Sequence, residues 1–290
     1  MSSCALHYAV LGGSAECLLL LLRFLQRYAA EVIGWSSVLG DMLEWKDGLA
    51  MTPLSLACSK RSTDRRIISL LLRVGANPKG LNTVTQRTAF MSACEVGNID
   101  AVTILLAQEK SNREMRIEGG GVAGSTRASN TQTQGNNRST TIDITRKKCC
   151  PADRDISGIT AIMLAAAGGH VEIVEMLLQL GTNVSYTTDA GDCIFHFAAR
   201  GGNIHVLQLL IDREATQWRA YRADIEKQSL LKSMRHRPKI MRIRNYRGHE
   251  PQQIAEDCGH HEFAEYIKNA SMKLYAVKVI HSLHLLSGRV

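Results

Sequence analysis

Residues 160–181 read TAIMLAAAGGHVEIVEMLLQLG. Thr160 is suited to cap the free N–H groups of a helix start, and Ile162 and Ala165 then fall on one helical face. Gly169, nine residues after Thr160, supplies the left-handed turn that ends such a helix. A second amphipathic run follows through Ile173, Val174, Leu177 and Leu178 and stops at Gly181. Two helices this short have no core of their own and need a neighbour to cover their apolar faces.

The neighbours are present in the sequence. The opening block recurs as Thr52-Pro53-Leu54-Ser55-Leu56-Ala57 and Thr88-Ala89-Phe90-Met91-Ser92-Ala93. Weaker copies are Cys4-Ala5-Leu6-His7-Tyr8-Ala9, Cys193-Ile194-Phe195-His196-Phe197-Ala198 and Glu250-Pro251-Gln252-Gln253-Ile254-Ala255. A glycine stands nine residues after five of these six starts, as Gly13, Gly97, Gly169, Gly202 and Gly259. The block at Thr52 lacks it and reads as if two residues were inserted between Ser59 and Arg66. Six copies in register are specific where one would not be. The pattern resembles the ankyrin-repeat family, whose units carry a T-P-L-H-x-A block, a glycine after the first helix and a leucine run in the second. The resemblance implies an all-α solenoid of stacked helix-turn-helix units with short hairpin-like turns. It also implies a protein-binding scaffold whose partners lie against the concave face and the turn tips. In the family the histidine of the block, here His7 and His196, holds the turn by hydrogen bonds. Cys4, Cys193 and Glu250 stand where the capping Thr is expected, so units one, five and six should be less regular there. Cys58 and Cys94 share a position with Ala166 and Ala199 and read as small buried residues.

Composition agrees with a helical, non-membrane chain. It has 290 residues, 45% apolar and 5% aromatic, with five prolines. That is enough apolar content for a core and too little aromatic content for a β-sandwich. No apolar run approaches the roughly 18 residues of a membrane span. The stretch before Cys17 carries no positive charge, so a secretory signal is not expected. Eight cysteines without a C-x-x-C pair fit a reducing, intracellular and most simply cytoplasmic setting. No nucleophile elbow, P-loop, zinc-protease or kinase signature is present, so no catalytic, cofactor or metal residues are assigned.

Steps between successive starts exceed 33 residues by 15, 3, 39, 0 and 24. These excesses divide the chain. Units one to three occupy 1–106, with an insertion at 26–48 that should fold as a short helix. Residues 107–157 form a flexible insertion, because 119–141 hold almost nothing apolar with which to offset ordering entropy. Within it, Gly119, Gly121 and Gly124 match a dinucleotide fingerprint without the strand and helix that would give it meaning. Units four to six occupy 158–270 and carry a basic helical insertion at 212–247. Residues 271–290 read as a capping helix, with a membrane-surface helix as the alternative. Where an insertion begins, the glycine that stops helix two is replaced by Leu25, Glu109 or Glu214, so that helix should run on.

The chain carries 35 Lys and Arg against 27 Asp and Glu. Most of the excess sits at 212–247, where Lys232, Arg235, Arg237, Lys239, Arg242, Arg244 and Arg247 follow one another with no acid between them. Such a run is a solvated face, a dock for an acidic protein, or a site for RNA or another polyanion. Exposed turn positions between units, Asn82, Gln86, Tyr186 and Thr188, are candidate contacts for a protein partner.

Overall fold

The computed structural model describes residues 3–31, 36–107, 153–213 and 243–270. Six helix pairs stack in chain order. They are α1 (Ala5–Gly12) with α2 (Ala15–Glu31), then, after α3 (Ser36–Glu44), α4 (Pro53–Cys58) with α5 (Arg65–Val74). Next come α6 (Ala89–Val96) with α7 (99–107), α8 (Ala161–Ala167) with α9 (Val171–Gln179), α10 (Ile194–Gly201) with α11 (204–213), and α12 (Pro251–Asp257) with α13 (261–270). First helices pack on first helices of the next pair throughout. The architecture is an all-α repeat solenoid. The only extended pairings among the described residues are isolated antiparallel bridges, Arg154 with Thr160 and Thr187 with Cys193, each closing a hairpin turn before a first helix.

Every first helix starts where the repeated block starts: Cys4, Thr52, Thr88, Thr160, Cys193 and Glu250 are the six N-caps. How they cap differs from expectation. Thr52 and Thr88 accept from Ser55 N and Met91 N at 3.2 Å. Thr160 makes no such bond, and its buried hydroxyl has no partner. The three units without Thr are closed from the other side. Cys4 N and Cys193 N donate to Nδ1 of His7 and His196, and Glu250 N donates to Gln253 Oε1. A side chain one turn in satisfies the cap's own N–H, so loss of Thr does not loosen the turn.

The glycines after the first helices all take left-handed φ, from 66° at Gly202 to 83° at Gly97. Unit two manages without one. Ser59 ends α4 in right-handed conformation, and Asp64 starts α5 by accepting from Arg66 N. Its two extra residues fall in that turn.

One apolar core runs through the stack, from Leu6 and Leu18 to Phe263 and Ile267. Cys58 and Cys94 are fully buried in it, and burial pushes the Cys94 thiol far above its usual range. In the first insertion, α3 lays Leu43 into the core, with Met42 and Leu39 against its margin. The extended second helix is seen in α2, at 17 residues against 10 for α5.

Two boundaries shift. Residues 153–157, assigned by sequence to the flexible insertion, form the hairpin before α8, with Asp155 buried in it. Residues 243–249, assigned to the basic helix, form the non-helical turn before α12. Apart from their ends, both insertions lie outside the described residues, and so does 271–290. Among the described residues no helix is long and apolar enough to cross a membrane.

Candidate interaction surface

The hairpin turns are built to related plans. In three of the five, a side-chain oxygen five residues before the cap gathers two N–H groups; before α6, Asn82 does so from six residues before it. Asp47 Oδ1 accepts from Leu49 N and Met51 N, Asp155 Oδ1 from Ser157 N and Ile159 N, and Asn245 Oδ1 from Arg247 N and His249 N. Two residues before the cap φ is positive in each turn, at Ala50, Gln86, Gly158, Gly191 and Gly248.

Successive turns are then tied tip to tip. Ile156 N donates to Thr85 O, Asp189 N to Ser157 O and Tyr246 N to Ala190 O, at 3.0–3.1 Å. Asn82 Nδ2 donates to Leu49 O across the preceding junction. This ladder holds the tips in a row, and four of the five tips carry an exposed apolar side chain, the unit-five tip carrying Asp189 and Ala190 instead. Leu49, Val84, Ile156 and Tyr246 are exposed at 72%, 70%, 59% and 83%. Beneath it, a cleft of about 290 Å³ runs between the turns of units four and five, lined among others by Ile159, Phe197 and Arg200.

Ion pairs fix neighbouring turns behind this edge. Arg87 reaches Glu95 at 2.8 Å within its unit and the buried Asp155 of the next at 3.1 Å. Asp192 accepts from Arg200 at 2.6 Å and from Asn245 Nδ2 of the next turn at 2.8 Å. The pair between the residue before the cap and the residue seven after it thus recurs with its charges exchanged. Burial alone would raise the Asp192 carboxyl. The hydrogen bonds from Asn245 and Arg200 outweigh it and leave the group below its ordinary range.

The histidines bridge units. Because Nδ1 of His7 and His196 accepts from the cap N–H, the proton sits on Nε2. Nε2 then donates to Met51 O at 2.9 Å and His249 O at 3.1 Å, each the residue before the next cap. Cys193 Sγ lies 3.1 Å from His196 Nδ1, but burial raises that thiol to about 11. It is a poor nucleophile at neutral pH. A further set of backward bonds comes from the residue ten after the cap. Asn98 donates to Lys60 O, His170 to Glu95 O, Asn203 to Gly169 O and His260 to Arg200 O.

A family model for ankyrin repeats (three copies) matches residues 6–115 and 134–221. The chain belongs to the ankyrin-repeat family. The match ends before the sixth ankyrin unit, where Gly259 and His260 reproduce the glycine and the backward bond of the others. Compared with curated proteins, the chain finds no match. Ankyrin repeats are in general protein–protein interaction modules.

The sequence-assigned contacts divide on this ankyrin frame. Gln86 is exposed, at a positive-φ tip position. Tyr186 is half-buried beneath Arg154, 4.1 Å from the ring centre. Thr188 is buried rather than exposed, its Oγ1 accepting from Asp192 N. Asn82 is half-buried, with its amide committed to the turns. Of the basic run, Arg244 pairs with Glu250 at 3.2 Å and Arg247 is exposed beside Tyr246. Lys232, Arg235, Arg237, Lys239 and Arg242 lie outside the described residues. The sequence reading missed the apolar tips. Asp or Asn five residues before the cap, and Gly two before it, would have placed Ile156 and Tyr246 between them, whereas Leu49 lacks the second signal because Ala50 stands where the Gly is expected.

Proposed function

We propose that the chain is a non-enzymatic adaptor, scaffold or structural subunit that binds a protein partner along its hairpin tips and the adjoining cleft. The row of exposed apolar tips carries this reading. Single exposed apolar side chains are ordinary, but an aligned series on a rigid edge is a mark of recognition. Tips tied by backbone bonds lose little freedom on binding, so the contact energy is not spent on ordering. The six cysteines among the described residues, held as thiols rather than disulfides, support an intracellular, cytoplasmic site of action. The alternative is polyanion binding through the basic insertion at 232–247, supported by its run of unopposed charge.

The test is affinity capture of the tagged chain from cell extract, with and without nuclease, beside a Val84→Asp/Ile156→Asp variant. Partners should survive nuclease and be lost in the variant, whose melting temperature stays within about a degree of the parent. Partners that survive both tip changes, but vanish with nuclease or with charge reversal at 232–247, would transfer the function to the basic arm. Binding there should also weaken steeply with salt, by roughly 0.7 to 0.9 log units per phosphate contact.

A further inference from the structure

In units three to six the tip position four residues before the cap reads Val84, Ile156, Asp189 and Tyr246. Three of these side chains are apolar or aromatic, and one is a carboxylate. The exception is held in register with its neighbours. Asp189 N is bonded to Ser157 O of the preceding tip, as Tyr246 N is to Ala190 O. Each of the two side chains also lies against the glycine of the preceding tip. A Cβ at Gly158 would stand 3.3 Å from Asp189 Oδ1, and one at Gly191 would stand 3.1 Å from the Tyr246 ring. The bare glycines thus seat Asp189 and Tyr246 as consecutive members of one edge that begins at Ile156.

The charge at this point is not balanced from within. Three charged side chains line the cleft between units four and five: Asp189, Asp192 and Arg200. Arg200 and Asp192 neutralise each other at 2.6 Å, and Asp192 is held further by Asn245. Asp189 is exposed, and its carboxylate has neither a hydrogen bond nor an ion pair among the described residues. Arg247 of the next tip is exposed and does not pair with it. Ile156, Ile159 and Phe197 belong to the same lining, so one unpaired negative charge stands in a setting that is otherwise apolar or neutral.

We infer that Asp189 selects the partner: the edge takes a protein segment with a Lys or Arg at this point and apolar side chains on both sides of it. The inference rests on the tip-binding reading above and adds the chemistry of the ligand. An apolar side chain laid on Asp189 would strip water from a carboxylate and put nothing in its place. A basic side chain supplies the missing charge, lays its methylene stem along the apolar wall and brings its head to the face of Tyr246. An acidic segment is rejected by the same charge that admits a basic one. Stacked helices stand about 8 to 10 Å apart, which is about three residues of polyproline or extended chain. The flanking apolar residues therefore fall about three places before and after the basic one.

Selection of a phage-displayed library of random peptides on the immobilised full chain tests this. Binders should share a Lys or Arg with apolar residues about three places to either side. In calorimetric titration, the affinity of one such peptide should fall at least about tenfold in Asp189→Lys. The melting temperature should not change, because the carboxylate holds nothing in place. Replacing the peptide's basic residue with Glu should recover binding to Asp189→Lys and not to the parent. Peptides that are lost in Val84→Asp/Ile156→Asp but share no basic residue, or are indifferent to Asp189→Lys, overturn the inference and leave the tip reading intact. Peptides that keep full affinity for the double tip variant overturn both. A library that enriches nothing overturns the inference as well, since a short segment should suffice, and leaves the row to a folded partner.

Discussion

Single residues set how each turn closes, and two kinds of glycine show it. Gly13 and Gly97 occupy the same repeat position with similar positive φ. A methyl group at Gly13 would meet nothing, whereas at Gly97 it would run into the His170 ring that reaches back from the next unit. Gly13→Ala should therefore cost about 1 kcal/mol, the conformational term alone. Gly97→Ala should cost about 2 to 3 kcal/mol and break the His170 to Glu95 bond, which urea unfolding of the two variants would separate. His196 gives the pH response. Burial lowers its pKa from the usual 6.5, despite the bond to His249 and the nearby Asp192. The unfolded chain then binds the proton first, so the contribution to stability is full above about pH 6.5. It is lost as pH falls from there through the lowered folded pKa. Denaturation midpoints measured from pH 7.5 down to 5 should fall, and His196→Gln should flatten that slope.

At the scale of elements, the first helices were legible because their signals are local. The cap, the apolar pair and the glycine lie within ten residues and repeat in register, so all six starts could be read. What joins the units was not legible. The partner of Asp192 is Asn245, 53 residues away across the basic insertion, and the partner of Arg87 is Asp155, 68 away. Only the fold brings them together. The exposure of Thr188 was misjudged for a related reason: a polar residue in a turn suggests water, but its hydroxyl is spent on the Asp192 N–H. The junctions make a prediction. Asp192→Ala leaves the Asn245 amide without its acceptor and the Arg200 guanidinium without its counter-ion. The loss should be about 2 kcal/mol, and smaller than for a fully buried pair because Arg200 is partly exposed. Hydrogen exchange should show the change concentrated in 243–257, with α8 and α9 hardly affected.

Over the whole molecule, each unit touches mainly its neighbours, so stability is a sum of units and junctions rather than one indivisible quantity. Among the described residues α1 and α12 each stack on one other first helix and α8 on two, so amides of α1 and α12 should exchange faster than those of α8. The same construction governs the long interruptions. The described parts of α7 and α11 run to 107 and 213, and the chain is in its turn at 153 and 243, two residues before the turn-organising Asp155 and Asn245. Between α5 and α6, residues 75–81 make the corresponding passage unaided. Departure and return are thus fixed by the frame, whatever lies between them. Loop closure depends only weakly on length, so replacing 108–152 with a connector as short as 75–81 should raise stability by only about 1 to 2 kcal/mol and leave every junction in place. The interruptions behave as exchangeable inserts at fixed ports, open to changes in length and content that the stacked helices would not tolerate.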